Sequence, residues 1–484
     1  MDFQQLLDWI GSFWGSVLFL TCHIVVAATV SWDALFRKTR PSSTLLWMTF
    51  VWTTPILGTA FYVMFGVNRV ARRAARDRED LSRKKLEGEP ETSPPGFWPD
   101  RMQALARLIN HDAAWKLTPG NRFEPLFNGE EAYPAMLSAI GGAKTSVFLQ
   151  TYIFDREGPG EEFADALEKA EKRGVDVRVI IDDASRFHAN SPVDRLLRRK
   201  GVAETKFTPR RWWQRLLSIN LRNHRKILVV DGVEAFTGGM NILPGHLPEK
   251  KPRHPIHDIH FRLSGPIVEH LLAVFLEDWE FCNGGSIPLP PRSQQSYAAD
   301  GGAWACGIPD GPDEDYQKLS TVFAGALSCA RKSVWIATPY FLPDEVLTSQ
   351  LRLAAFRGAE VKILVPKNNN HGFVKWASES FYRPLIEAGC QIFETEGEFD
   401  HSKIFIVDGL FFSIGSANWD DRSLRLNYEF NVVGFESRLC EKLTAKLESR
   451  ATSLGAPINA EWFEKRTRLQ RIRSRFAWLL SPFL

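Results

Sequence analysis

The sequence predicts a mixed α/β protein of two tandem lobes behind an N-terminal pair of apolar helices. Three observations lead there. A self-similar pattern recurs in the second half of the chain, β-branched runs alternate with helix-like segments inside each copy, and two uncharged stretches occupy the first 70 residues. With 484 residues, 44% of them apolar, the chain can bury several cores, about three at the usual ~150 residues per domain. Its charge is nearly balanced, 60 Lys and Arg against 57 Asp and Glu, which argues against a general nucleic-acid binder and makes local basic patches the charge of interest. Six cysteines lie far apart without a C-x-x-C pair. Neither a disulfide scaffold nor a zinc ribbon is expected, and a reducing compartment suits the body.

Residues 9–32 contain no Lys, Arg, Asp or Glu, and residues 43–67 are equally uncharged. Each reaches the ~20 residues that a bilayer-crossing helix needs, so a transmembrane hairpin is expected over residues 1–70. A cleaved signal peptide would want a basic segment ahead of the apolar run, whereas Asp2 and Asp8 precede it and the first basic side chain is Arg37. Arg69, Arg72, Arg73, Arg76 and Arg78 come after the second stretch, against Arg37, Lys38 and Arg40 between the two. The positive-inside rule then places the body in the cytoplasm and the protein, as a multi-pass component, in the inner membrane. Residues 71–96, charged and then rich in Pro and Gly, read as a linker. A first lobe is expected over 97–285, a second linker over 286–302, a second lobe over 303–457 and a basic amphipathic helix over 458–484.

The repeat is visible in three places. AKTSVFLQTYIFD (143–155) aligns with ARKSVWIATPYFLPD (330–344), RGVDVRVIID (173–182) with RGAEVKILVP (357–366), and HRKILVVDG (224–232) with HSKIFIVDG (401–409). The third pair opens into His224-x-Lys226-x4-Asp231-x6-Gly238-Gly239-x-Asn241 and His401-x-Lys403-x4-Asp408-x6-Gly415-Ser416-x-Asn418. Each His and Lys precedes an apolar run, and the period of two in extended chain puts them on one face. Displacement at a phosphodiester needs a nucleophile, an acid for the leaving oxygen and positive charge around the phosphoryl oxygens. Two such pairs supply all three without a metal.

With these motifs the chain resembles the phospholipase D superfamily, whose signature is HxKxxxxDxxxxxxGSxN, and within it the bacterial cardiolipin synthases. The runs NLRNHRKILVVDG (220–232), TPYFLPDE (338–345) and GSANWDDRS (415–423) carry the resemblance further, and the one departure is Gly239 where the signature has Ser. The resemblance implies two phospholipase D-like lobes packed as a pseudo-twofold pair around one site. It also implies a phosphatidyl group carried from one phosphatidylglycerol to another through a phosphohistidine, giving cardiolipin and glycerol with no cofactor and no metal. As the family implies, His224 is the nucleophile and His401 the general acid and base, although the symmetry of the motifs also allows the reverse. Lys226, Lys403, Asn241 and Asn418, with the hydroxyl of Ser416, should hold the phosphate. Asp258 and Glu429 come after their motifs and are candidates to hold the second nitrogen of each imidazole. Asp231 and Asp408 complete the catalytic signature, while turn chemistry at Asp-Gly favours a structural role for them.

His254, His257 and His260 have no neighbouring ligand set and read as surface or pocket-rim residues. Residues 210–217 (RRWWQRLL) mix cations with large aromatics as an interfacial segment would. The C-terminal segment spaces Trp462, Leu469, Ile472, Phe476, Leu479 and Leu480 helically among Lys465, Arg466, Arg468, Arg471, Arg473 and Arg475. It fits either an interfacial helix or a docked terminal helix. The partners expected are therefore phosphatidylglycerol and an anionic membrane surface, without nucleic acid, and the sequence is silent on oligomeric state. A phospholipase D that uses water, or a transferase that uses another alcohol, shares every motif. A superfamily nuclease suits the apolar stretches and balanced charge poorly, and an inactive scaffold would need a broken motif.

Overall fold

The computed structural model describes residues 13–37, 41–63, 94–185, 192–207, 222–283, 302–312 and 317–479, with a few single positions besides. The aromatic-basic segment 210–217, most of both linkers and Leu480 lie outside the described residues. The N-terminal helices form one compact unit and the sheet-bearing body a second.

In the first unit, α1 (Phe13–Arg37) is continuous, and its stretch Gly15–Phe36 is long and apolar enough to cross a membrane. Leu20, Val25 and Leu35 on it are exposed, as side chains that face lipid would be. The expected hairpin of two spanning helices does not form. The second apolar stretch is divided into α2 (Pro41–Thr53) and α3 (Pro55–Phe61), with Thr54 between them at φ −129° and ψ 81°. Pro55 has no N–H to give and its ring disfavours helical geometry at the preceding residue. The 13 residues of α2 rise about 20 Å, short of the ~30 Å of hydrocarbon in a bilayer. Among the described residues one helix, α1, has spanning length, which suggests membrane anchoring and does not support a multi-pass arrangement. The shorter helices pack beside α1, with Trp52 Nε1 donating to Ser31 Oγ at 3.0 Å and Tyr62 Oη to Asp33 Oδ2 at 2.8 Å.

The body is a mixed α/β unit around one 14-stranded sheet. Its first half comprises β1 (Thr118–Phe127), β2 (Ser146–Thr151), β3 (Asp176–Asp182), β4 (Ala203–Phe207), β5 (Ile227–Val230), β6 (Glu234–Gly238) and β7 (Ile259–Ser264). The second comprises β8 (Ala303–Asp310), β9 (Ser333–Ala337), β10 (Glu360–Pro366), β11 (Gln391–Thr395), β12 (Ile404–Val407), β13 (Phe411–Gly415) and β14 (Glu429–Phe435). Across the sheet the order is β11-β10-β9-β12-β13-β14-β8-β1-β7-β6-β5-β2-β3-β4, so the two halves mirror each other about the β8/β1 join, each strand of the first half matching the strand seven later in chain order. The halves meet where β1 runs antiparallel to β8. The β-branched runs at the repeats are the parallel pairs β2/β3 and β9/β10, fully buried along most of their length as strands covered on both faces are. One hydrophobic core includes Phe148, Phe275, Phe412 and Tyr428 and so belongs to both halves. Four further helices position the site or its surroundings: α4 (Ile267–Asn283), α5 (Gly372–Ile386), α6 (Ser437–Ser453) and α7 (Arg468–Leu479).

Candidate active site

Both His-x-Lys pairs lie in extended chain just ahead of their strands, His224 and Lys226 before β5 and His401 and Lys403 before β12. A short parallel contact between the halves holds each pair. Asn223 bridges Tyr428, and the His224 N–H donates to the Tyr428 carbonyl at 2.9 Å. Phe399 and Asp400 pair with Ile256 and His257, and the His401 N–H donates to the His257 carbonyl at 2.7 Å. The residue after each accepting carbonyl is a carboxylate. Glu429 therefore stands beside His224, with Oε1 3.3 Å from Nδ1, and Asp258 beside His401, with Oδ2 2.8 Å from Nδ1. The carboxylates thus hold the imidazoles crosswise, each half orienting the histidine of the other. The two histidines keep 20% and 16% of their side chains accessible, whereas both carboxylates are fully buried. Each Nδ1 is thereby turned to a carboxylate, and Lys403 Nζ stands 3.1 Å from Nε2 of His401.

Each lysine curls back in the same way. Lys226 Nζ donates to the His224 carbonyl at 2.6 Å, and Lys403 Nζ donates to the His401 carbonyl at 2.8 Å. Burial dominates the electrostatics. It draws His224 down to about 4 against the opposing pull of Glu429, and it lowers Lys226 to about 7 and Lys403 to about 8. Burial, reinforced by the charges of Lys403, Lys226 and His224, holds His401 well below the ordinary imidazole value. Burial raises Glu429, but His224, Lys226 and the Ser416 hydroxyl outweigh it and keep that carboxyl ionised, whereas at Asp258 burial prevails and the value rises. Burial thus makes the charge of each lysine costly to keep until an anion enters the site.

Ser416 Oγ donates to Glu429 Oε2 at 2.5 Å. Gly239 occupies the equivalent place in the first half, and a Cβ there would lie 2.7 and 2.8 Å from the oxygens of Asp258. The departure from the signature therefore has a steric cause. Asn241 Oδ1 accepts from the Ile153 N–H at 3.1 Å, and Asn418 Nδ2 donates to Ser423 Oγ at 3.1 Å, so both also hold loops beside the site. Asp231 and Asp408 stand at the far ends of β5 and β12. Their oxygens accept from the amides of residues 144–146 and 331–333, which secures the turns ahead of β2 and β9.

His260 corrects the surface reading of the three histidines. It is buried on β7, and its Nδ1 lies 2.8 Å from where a Cβ of Gly238 would be, a position with φ of 148° that suits glycine. Its counterpart Asn431 lies under Gly415 in the same manner. His257 pairs with Glu398, and His254 is exposed.

Sequence reasoning missed several neighbours. Arg225, between His224 and Lys226, is buried and pairs with buried Asp278 of α4 at 2.8 Å, while its Nε donates to the Glu429 carbonyl at 3.1 Å. The sequence signal was weak, since Asp278 follows the apolar run of α4 directly after Glu277 and two residues ahead of Glu280. The Tyr152 ring packs 4.2 Å from that of His224, and Asn427 Nδ2 lies 3.4 Å from His224 Nδ1. His246 is buried, with its ring 6.1 Å from that of His401. Among the described residues His246, Asp258 and His401 bring one ligand atom each within 4.8 Å of one another. Asp258 and His401 already bond to each other, and Lys403 Nζ stands 3.1 Å from both His401 ring nitrogens.

Comparison with known proteins agrees with this arrangement. The family described as cardiolipin synthase, PLD-like domain, matches residues 136–279 and 324–451, one match in each half of the sheet. The chain is 32% identical to the cardiolipin synthase of Geobacillus sp. (strain WCH70), over 98% of this chain and 95% of that one. It is 33% identical to cardiolipin synthase 2 of Bacillus cereus, over 95% and 90%. A crystal structure of phosphatidylserine synthase from Haemophilus influenzae Rd KW20 shares the fold at a TM-score of 0.60 and 14% identity, covering 80% of this chain and 100% of that chain. Full-length likeness and paired motifs together place the chain in the cardiolipin synthase family of phospholipase D-like phosphatidyltransferases.

Proposed function

We propose that the phosphate anion of one phosphatidylglycerol offsets the charges of Lys226 and Lys403 and lets His401 take up a proton; His224 then attacks the phosphorus through Nε2 while His401 protonates the leaving glycerol oxygen, so that glycerol departs and the phosphatidyl group remains on His224. The terminal hydroxyl of a second phosphatidylglycerol then gives its proton to His401 and attacks the same phosphorus. The bond to His224 breaks and cardiolipin leaves. Lys226, Lys403, Asn241 and Asn418 hold the nonbridging oxygens, while Glu429 and Asp258 fix the tautomer of each imidazole. The crosswise pairing of histidines and carboxylates is the observation that carries this reading. It offers two oriented imidazoles in one basic site, related by the approximate twofold between β1 and β8. The better-ionised carboxylate lies behind His224, which favours that imidazole as the nucleophile. Asp231 and Asp408 serve the motif by securing its turns.

The substrate class, the anchoring of α1 and the arginines after residue 68 fit an enzyme of the inner membrane with its body on the cytoplasmic side. The lobes are proposed to span 97–285 and 303–457. Water or another alcohol is the alternative acceptor, since nothing in the motif selects the nucleophile of the second step. Full-length protein in vesicles of phosphatidylglycerol, with chelator present, tests both steps. Cardiolipin with matching free glycerol is expected; phosphatidic acid would make the protein a hydrolase, and loss of product restored by one divalent ion would overturn the metal-free mechanism. His224→Ala and His401→Ala should each abolish conversion while the protein stays folded.

A further inference from the structure

We propose that α7 is an interfacial helix that seats the body on an anionic phospholipid surface. One face of α7 is already packed. Ser474 and Ala477 are buried against α5, Ser380 Oγ donates to the Ser474 carbonyl at 3.0 Å, and the Arg473 guanidinium lies 4.2 Å over the Trp376 ring. The other face is not. Leu469, Ile472, Phe476 and Leu479 succeed one another at i, i+3, i+7 and i+10 and are 76%, 65%, 60% and 64% exposed. Four large apolar side chains in a row, on a helix whose opposite face does the packing, contribute nothing to the core of the body.

The flank of the stripe identifies its occupant. Arg468, Arg471 and Arg475 border it, all exposed, and residues 468–479 contain no acidic side chain. An apolar stripe edged by arginine matches the boundary between acyl chains and anionic headgroups. A second copy of the chain would set the arginines of one helix against those of the other with no acid in either to neutralise them. The position of α7 gives the contact a purpose. Ala477 belongs to a cluster with Leu342 and Ala377 that Tyr340, Phe373 and Trp376 extend. The Tyr340 ring is 6.4 Å from that of Phe399, which is 5.8 Å from that of His401. A bilayer under α7 would lie close to the rim of the active site. This deepens the proposed function and rests on it in one respect, that the substrate resides in a bilayer.

Hydrogen exchange over residues 468–479 of the full-length protein provides the test, comparing vesicles of phosphatidylcholine with vesicles of phosphatidylcholine mixed with phosphatidylserine. Exchange should slow by about tenfold or more in the anionic vesicles and recover at high salt. It should not slow when Ile472→Ser and Phe476→Ser are combined, substitutions on the exposed face that leave the packed face intact. Equal exchange in the two vesicles overturns the proposal, as does protection that tracks protein density and ignores lipid charge, which would mark a second copy as the occupant. The same double variant should convert vesicular phosphatidylglycerol several-fold more slowly than the parent, yet convert short-chain monomeric phosphatidylglycerol equally well. Equal rates on vesicles also count against it. Absence of product from parent and variant alike would defeat the catalytic reading and leave the exchange result to decide this one.

Discussion

An imidazole attacks phosphorus only while neutral, and burial keeps His224 in that form down to about pH 4. The same burial works against the lysines, which should lose their protons near pH 7 and 8 while the site is empty. Because their values are lowered, the charge that attracts the phosphate is complete below these values and disappears as pH rises through them. We predict that kcat/KM, which reports the free enzyme, falls as pH rises through 7–8, where Lys226 and Lys403 lose the charge that attracts the phosphate. Lys226→Arg, whose charge persists, should move the start of the alkaline limb upward, from about 7 towards the value of Lys403, even if the maximal rate drops; a limb that stays in place would show that another group sets it. Gly239 yields a second prediction. Gly239→Ser matches the family signature better, yet its Cβ would meet the Asp258 carboxylate. It should therefore lower kcat by roughly 10- to 100-fold, by displacing the group that orients His401. An unchanged kcat in a folded Gly239→Ser variant would refute that account.

At the scale of elements, the strands are held by polar contacts on the side away from the chemistry. Arg225 and Asp278 are both buried, so Arg225→Ala takes away the guanidinium paired with the Asp278 carboxylate, leaving the neutral amides of Gln150 and Asn223 to help hold that charge, and should destabilise the body by about 3 kcal/mol in denaturant titrations. Asp408→Ala releases three backbone amides and Arg101, and should lower stability by roughly 1–3 kcal/mol with the rate per folded molecule unchanged. A rate loss without a stability loss would return Asp408 to the catalytic group. Much of this level was legible in the sequence. The β-branched runs beginning at 146, 176, 227, 333, 360 and 404 are strands, since a buried parallel strand announces itself as a continuous apolar run. The second spanning helix is an overstatement of hydropathy, which averages over a window, whereas a single proline, here Pro55, is enough to end a helix. The crosswise pairing was not legible at all. A repeat shows that two motifs are equivalent, and only the cross-contacts at Tyr428 and His257 decide which half supplies the carboxylate for which histidine.

For the whole molecule, neither half contains an oriented histidine by itself. We predict that the two lobes, produced as separate chains, are each inactive, and that any recovered phosphatidyl transfer on co-expression tracks their association. Activity in one isolated lobe would require a same-lobe partner for its imidazole. The join between the halves is made of contacts distant in sequence, with β1 paired to β7 on one side and to β8 on the other, and such pairings close late because a long loop must be ordered first. The crosswise arrangement thereby acts as a timer during synthesis. His224 emerges from the ribosome long before Glu429, so the nascent chain passes through a period in which the proposed nucleophile is present without the carboxylate that orients it. On the proposed mechanism, a chain cut anywhere between α1 and β14 keeps the anchoring helix, lacks Glu429, and should leave the lipids around it unmodified.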